Sequence, residues 1–133
     1  MAKILIIEDN PQNMKLAVML LERSGYQVLQ ASEAAVGIDL ARQQQPDLVL
    51  MDIQLPGIDG LTATRMLKAD AVTRDILVYA LTAFAMKGDE EKMRTAGCDG
   101  YIAKPIRYQE FLATIASALA DARTTNGSKP RHG

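Results

Sequence analysis

The chain has little of the chemistry that metal, redox and disulfide sites usually need. Its 133 residues include one cysteine, Cys98, and one histidine, His132, second from the end. A single cysteine makes no intrachain disulfide and offers no cysteine partner for a metal ion. That usage suits a reducing cytoplasm, the expected location. The position of His132 disfavours histidine-based catalysis or metal binding inside the fold. Long apolar runs are also missing. Segments such as 4–7 (I-L-I-I) and 47–51 (D-L-V-L-M) fall far below the roughly 18 residues of a membrane span. The opening Met1-Ala2-Lys3-Ile4 leads straight into such a run, without the long apolar stretch and cleavage site of a secretory signal. A formal net charge of −1 gives no global attraction to nucleic acid. What is present is the length of one domain, 48% hydrophobic and 23% charged, enough to bury a core.

Along the chain, short apolar runs alternate with longer stretches of helical spacing. Residues 3–7 (K-I-L-I-I) form a buried-strand candidate that stops at Glu8-Asp9. Asn10-Pro11 then reads as a helix cap with proline in the first helical position. Met14, Ala17, Val18 and Leu21 follow at i, i+3, i+4, i+7, and Ser24-Gly25 is the stop. A second strand is expected over 27–31, with Ser32 capping a helix that runs to 43–45. A third strand over 47–51 again ends in an acid, Asp52, and Asp59-Gly60 opens a helix through Leu67. A fourth strand over 76–81 ends at Thr82, a polar helix covers about 86–95, and a short strand over 101–103 precedes Lys104-Pro105. Phe111, Leu112, Ile115 and Leu119 mark the last helix. Strands that are apolar throughout, each followed by a helix in a β-α pattern repeated five times, predict an α/β fold with a parallel sheet covered on both faces. One domain over 1–122 is expected, followed by a polar, basic and disordered tail over 123–133.

In such a sheet ligands sit at the carboxyl ends of the strands, near the point where strand order reverses. The residues just past the strands are Glu8, Asp9, Asp52, Thr82 and Lys104. Each has an ordinary explanation alone: helix-terminal acids, a loop acid, a cap, a surface lysine. Their succession at strand ends does not. Three carboxylates on one rim repel one another unless a cation joins them, and a hard divalent ion with oxygen ligands resolves the conflict. With Lys104 as a compact positive charge and Thr82 as a hydroxyl donor, the set suits a phosphoryl group in transfer. Asp52, the central acid, is the candidate nucleophile.

These residues also carry a resemblance. The segments I-L-I-I-E-D-N at 4–10, D-L-V-L-M-D-I-Q-L-P-G-I-D-G at 47–60, A-L-T-A at 80–83 and Y-I-A-K-P at 101–105 resemble the receiver domain of two-component response regulators. The resemblance implies a (βα)5 doubly wound, five-stranded parallel sheet of flavodoxin-like topology, and transfer from the phosphohistidine of a sensor histidine kinase or histidine phosphotransfer protein onto Asp52, with Mg²⁺ as cofactor and Mn²⁺ as its substitute. It implies that Asp9 and Asp52 bind the metal directly, Glu8 through water, and Gln54 through its backbone carbonyl. Thr82, the N–H of Ala83 and Lys104 would contact the phosphoryl oxygens. Tyr101 would be an aromatic switch coupled to Thr82; the ordinary explanation of Tyr101 is a half-buried strand aromatic. The Lys104-Pro105 bond is expected to be cis. Phosphorylation adds charge and acceptor oxygens. Thr82 and Ala83 can follow them and change the face made by the fourth helix, fifth strand and fifth helix for a downstream protein target.

No nucleic-acid-binding or second catalytic segment is visible, so the chain reads as a phosphoacceptor switch rather than an enzyme. Segments 9–16 and 83–92 are similar to those of stand-alone regulators and of receivers attached to hybrid histidine kinases. Met1 directly before the first strand favours a stand-alone chain over an excised module. An aspartyl-phosphate phosphatase would want a second acid where Gln54 stands, and a flavin carrier would not place Glu8-Asp9 beside a phosphate. Gln54 and Phe84 are expected to flank the path of attacking water and tune the lifetime of the phosphorylated form.

Overall fold

A computed structural model describes residues 2–83 and 87–128, apart from the side chains of residues 87 and 122–128. Five strands, β1 (Lys3–Ile7), β2 (Gln27–Ala31), β3 (Leu48–Asp52), β4 (Leu77–Thr82) and β5 (Gly100–Ala103), form one parallel sheet in the order β2-β1-β3-β4-β5. Between and after them come α1 (Pro11–Arg23), α2 (Ala34–Gln44), α3 (Gly60–Ala69), α4 (Lys87–Ala96) and α5 (Tyr108–Ser128). The strand order reverses between β1 and β3, so the crevice expected of this topology opens there.

Alternation along the strands divides the core into two layers. Ile4, Ile6, Leu48, Leu50, Leu81 and Ile102 meet α1 through Met14, Ala17 and Leu21, and α5 through Phe111, Ile115 and Leu119. Leu5, Ile7, Val49, Met51 and Val78 face the other way, onto Ala34 and Ala41 of α2 and Ala63 and Leu67 of α3. The α4 helix packs beside α3 and β5. β1 and β3 are buried on both faces, which is why their sequences lack polar alternation.

Side-chain caps explain two of the helix starts, those of α1 and α3. Asn10 Oδ1 accepts from the N–H groups of Gln12 and Asn13 at 2.9 and 3.0 Å, with Pro11 in the first helical position. Asp59 caps α3 by accepting from the N–H of Thr62 at 2.9 Å. The start of α2 differs from expectation: its cap position is Glu33, not Ser32, and no side chain caps it. That helix ends on Gln45, at φ 47, whose amide donates to the carbonyls of Ala41, Arg42 and Val72.

Several boundaries move. Asp52 and Thr82 lie inside β3 and β4 as their last residues rather than just beyond them. The ladder continues past the apolar pattern, pairing Asp52 with Leu81 and Thr82 with Ala103. The last helix starts earlier than Phe111 and continues through 123–128, beyond the boundary expected at 122. The alanine-rich turns before that boundary favour helix, and no proline intervenes until Pro130. Residues 129–133 lie outside the described residues, as do Phe84 and Met86.

Candidate functional site

The site grows out of the strand ends by continuing their registers. The N–H of Glu8 donates to Ala31 O at 3.0 Å and carries β1 one residue onward beside β2. Because Ile7 pairs with Met51, the next step sets Glu8 beside Asp52. The N–H of Lys104 donates to Thr82 O at 2.8 Å, extending β5 in the same way. Glu8, Asp52 and Lys104 each follow by two an inward residue of the α1/α5 layer: Ile6, Leu50 and Ile102. The period of two therefore turns all three to one side.

The side chains meet there. Lys104 Nζ lies 3.0 Å from Glu8 Oε1 and 3.2 Å from Asp52 Oδ2. Glu8, Asp52 and Thr82 are buried, whereas Asp9 is exposed at the rim. Two local bonds orient the buried acids. Glu8 Oε2 accepts from the N–H of Asn10 at 3.1 Å, and Asp52 Oδ1 accepts from the N–H of Gln54 at 2.9 Å. The Lys104-Pro105 peptide is cis. Gly60, the first residue of α3, presses on the backbone under the site and donates its N–H to Ile53 O at 3.3 Å.

Electrostatically the cluster is incomplete. Burial, then the neighbouring Asp52, raises the Glu8 carboxyl above the ordinary carboxylate range, although Asn10 and Lys104 oppose this. Burial works to lower the Lys104 ammonium pKa, but Glu8 and Asp52 together outweigh it and the net shift is upward. Although Glu8 Oε1 lies within ion-pair distance of Lys104, among the described residues it has no aligned hydrogen-bond partner. Ligand atoms of Glu8, Asp9 and Asp52 all lie within 4.8 Å of one another. An all-oxygen donor set, with an acceptor whose lone pair is unfilled and more negative than positive charge, fits a hard divalent cation.

The description "response regulator receiver domain" matches residues 4–116. The chain belongs to that family. This receiver is 52% identical over 119 residues to the polar-differentiation response regulator DivK of Brucella ovis, a match covering 90% of the chain and 97% of DivK. It is a DivK-like single domain of two-component signalling. Among solved structures it is similar to the receiver domain of sensor histidine kinase PA1611 from Pseudomonas aeruginosa PAO1. Identity there is 34%, the TM-score is 0.83, and the match covers 90% of this chain and 98% of that one. That protein holds a magnesium ion coordinated in its active-site cleft. The chemotaxis protein CheY4 of Vibrio cholerae, at 19% identity and TM-score 0.85 over 89% of this chain and 98% of that one, shares the fold. Among the described residues, no helix of the receiver is long and apolar enough to cross a membrane.

Glu8, Asp9, Asp52, Thr82 and Lys104 are the residues that the strand-end pattern singles out. The sequence marks Asn10 only as a cap and gives no sign that its N–H orients Glu8. It marks Asp59-Gly60 only as a helix start and gives no sign of the contact of Gly60 with the Asp52 backbone. Tyr101 does not lie half-buried in the strand: it is 38% exposed and turned outward.

Proposed function

We propose that this receiver is a phosphoacceptor switch in which Asp52 takes a phosphoryl group from the phosphohistidine of a sensor kinase or phosphotransfer protein. A carboxylate oxygen of Asp52 forms the new O–P bond as the N–P bond of the donor breaks, and the electron pair returns to the imidazole nitrogen. The observation that carries this reading is Lys104 Nζ placed between the buried carboxylates of Glu8 and Asp52. An ammonium there can exchange a carboxylate for a phosphoryl oxygen without leaving the site.

Asp9, Asp52, the backbone carbonyl of Gln54 and, through water, Glu8 would hold Mg²⁺ or its substitute Mn²⁺. The cation would supply charge neutralisation for the transferring oxygens. Thr82 and the N–H of Ala83 would contact the phosphoryl group once it is in place. Their movement would vacate space for Tyr101 and change the α4–β5–α5 face for a downstream protein target. On this reading the chain is a cytoplasmic relay that assists only its own phosphorylation and dephosphorylation. Identity of 52% along nearly all of DivK supports the stand-alone form. The likeness to a kinase-borne receiver supports a second reading, a module of a hybrid histidine kinase.

Incubation with acetyl phosphate and Mg²⁺, followed by intact mass, tests the chemistry. One phosphoryl adduct is expected on the parent, none on Asp52→Asn, and none after prior chelation. An adduct that persists in Asp52→Asn would sink the assignment.

A further inference from the structure

Alternation places Ala80 and Thr82 of β4 and Tyr101 and Ala103 of β5 on the sheet face toward α4, with Ala80 paired to Tyr101 and Thr82 to Ala103. The positions of β4 and β5 that lie between the Tyr101 ring and Thr82 on that face, Ala80 and Ala103, are small. The ring does not lie over them. Its hydroxyl instead donates to Glu90 Oε2 on α4 at 3.0 Å. Glu90 lies in the first turn of α4, eleven positions before Tyr101 and on a different element. The carboxylate of Glu90 holds the Tyr101 phenol above its ordinary pKa, as expected for a proton shared with a charged acceptor.

We propose that the Glu90 carboxylate is a latch that holds Tyr101 outward and so biases the receiver toward its resting state. This inference rests on the switch role given to Tyr101 above and adds the group that sets its resting population. The physical requirement is a difference between states. A contact made only with the ring outward stabilises that state alone, and whatever favours the inward ring must overcome it. The other consequence of an acid in the first turn of α4, its interaction with the helix dipole, is present in both states and cancels from the equilibrium.

Because the bond is exposed, its effect is modest. Exposed charge-assisted pairs correspond to about two- to fivefold in an equilibrium constant. Glu90→Ala removes the acceptor without opposing the helix, and Tyr101→Phe removes the donor while keeping the ring. Beryllofluoride with Mg²⁺, a stand-in for the phosphoryl group, is titrated into the parent, each single variant and the double variant by calorimetry. The expected result is an apparent affinity about two- to fivefold tighter in each variant, with the double variant no tighter than either single one. The Tyr101 phenol should also titrate lower in Glu90→Ala than in the parent. A parent that binds beside a Glu90→Ala variant of unchanged affinity overturns the latch alone. Additive effects in the double variant overturn it as well. A parent that fails to bind the probe overturns the phosphoacceptor reading and the latch with it.

Discussion

Replacing Gly60 with alanine sets two effects of opposite sign against each other. Gly60 opens α3, and glycine in a helix is less stable than alanine by about 0.5–1 kcal/mol, so propensity alone predicts a more stable protein. The packing predicts the reverse. A Cβ at residue 60 would lie 2.2 Å from Asp52 O, 2.5 Å from Ile53 Cα and 2.9 Å from Asp52 C. All three atoms are backbone, so no side-chain rotation relieves the overlap. Reaching ordinary contact requires the β3–α3 segment or the helix start to move by about an ångström. Overpacking of this kind costs about 1–3 kcal/mol, at or above the gain from propensity. Two of the three atoms belong to Asp52, the residue proposed to carry the reacting carboxylate, and the third to its neighbour Ile53. A displacement of that size near a reacting centre lowers rates by about 100-fold.

Two measurements test this together: urea denaturation followed by far-ultraviolet circular dichroism, and the rate of phosphorylation by acetyl phosphate. Gly60→Ala is expected to lose about 1–2 kcal/mol of stability and about two orders of magnitude in rate. Gly88→Ala is the control. It lies in α4, and no atom of the described residues falls within 4 Å of its Cβ position. It is expected to gain about 0.5 kcal/mol or more with the rate unchanged. If Gly60→Ala proved as stable as the parent and reacted at the parental rate, the close approach of α3 to Asp52 would not position the acid, and the reasoning would fail.

Two further outcomes follow from local geometry. The N–H of Thr62, bonded to Asp59, holds that carboxyl below its ordinary range, so its cap is intact above the unfolded-state pKa near 3.8 and is lost as pH falls through the lower folded value. Asp59→Ala should therefore cost about 1 kcal/mol at neutral pH, with the difference from the parent closing at strongly acid pH in urea titrations. Cys98 is half-buried, and burial raises its thiol pKa, with the Sγ 4.0 Å from Thr64 Oγ1. It should react with a disulfide reagent at neutral pH more slowly than glutathione does, and accelerate under mild denaturant; a rate matching free glutathione would refute its burial.

The elements and the candidate residues at the strand ends can be read from the sequence pattern alone. Apolar runs ending in Glu8-Asp9, Asp52, Thr82 and Lys104 are legible because burial on both faces of a parallel sheet removes polar residues from a strand until its end. Asn10-Pro11 and Asp59 are legible because capping is local chemistry. The ends of β3 and β4 were not, since hydrophobic patterning reports burial, whereas the backbone ladder continues through a polar residue such as Asp52 or Thr82. The remaining features come from how the elements pack. The order β2-β1-β3-β4-β5 brings Glu8 beside Asp52 and carries Lys104 across β4 to both. The pressure of Gly60 on the Asp52 backbone depends on how α3 docks, and the reach of Tyr101 to Glu90 depends on where α4 lies. No periodicity encodes such contacts, because they join residues of different elements and depend on how those elements pack.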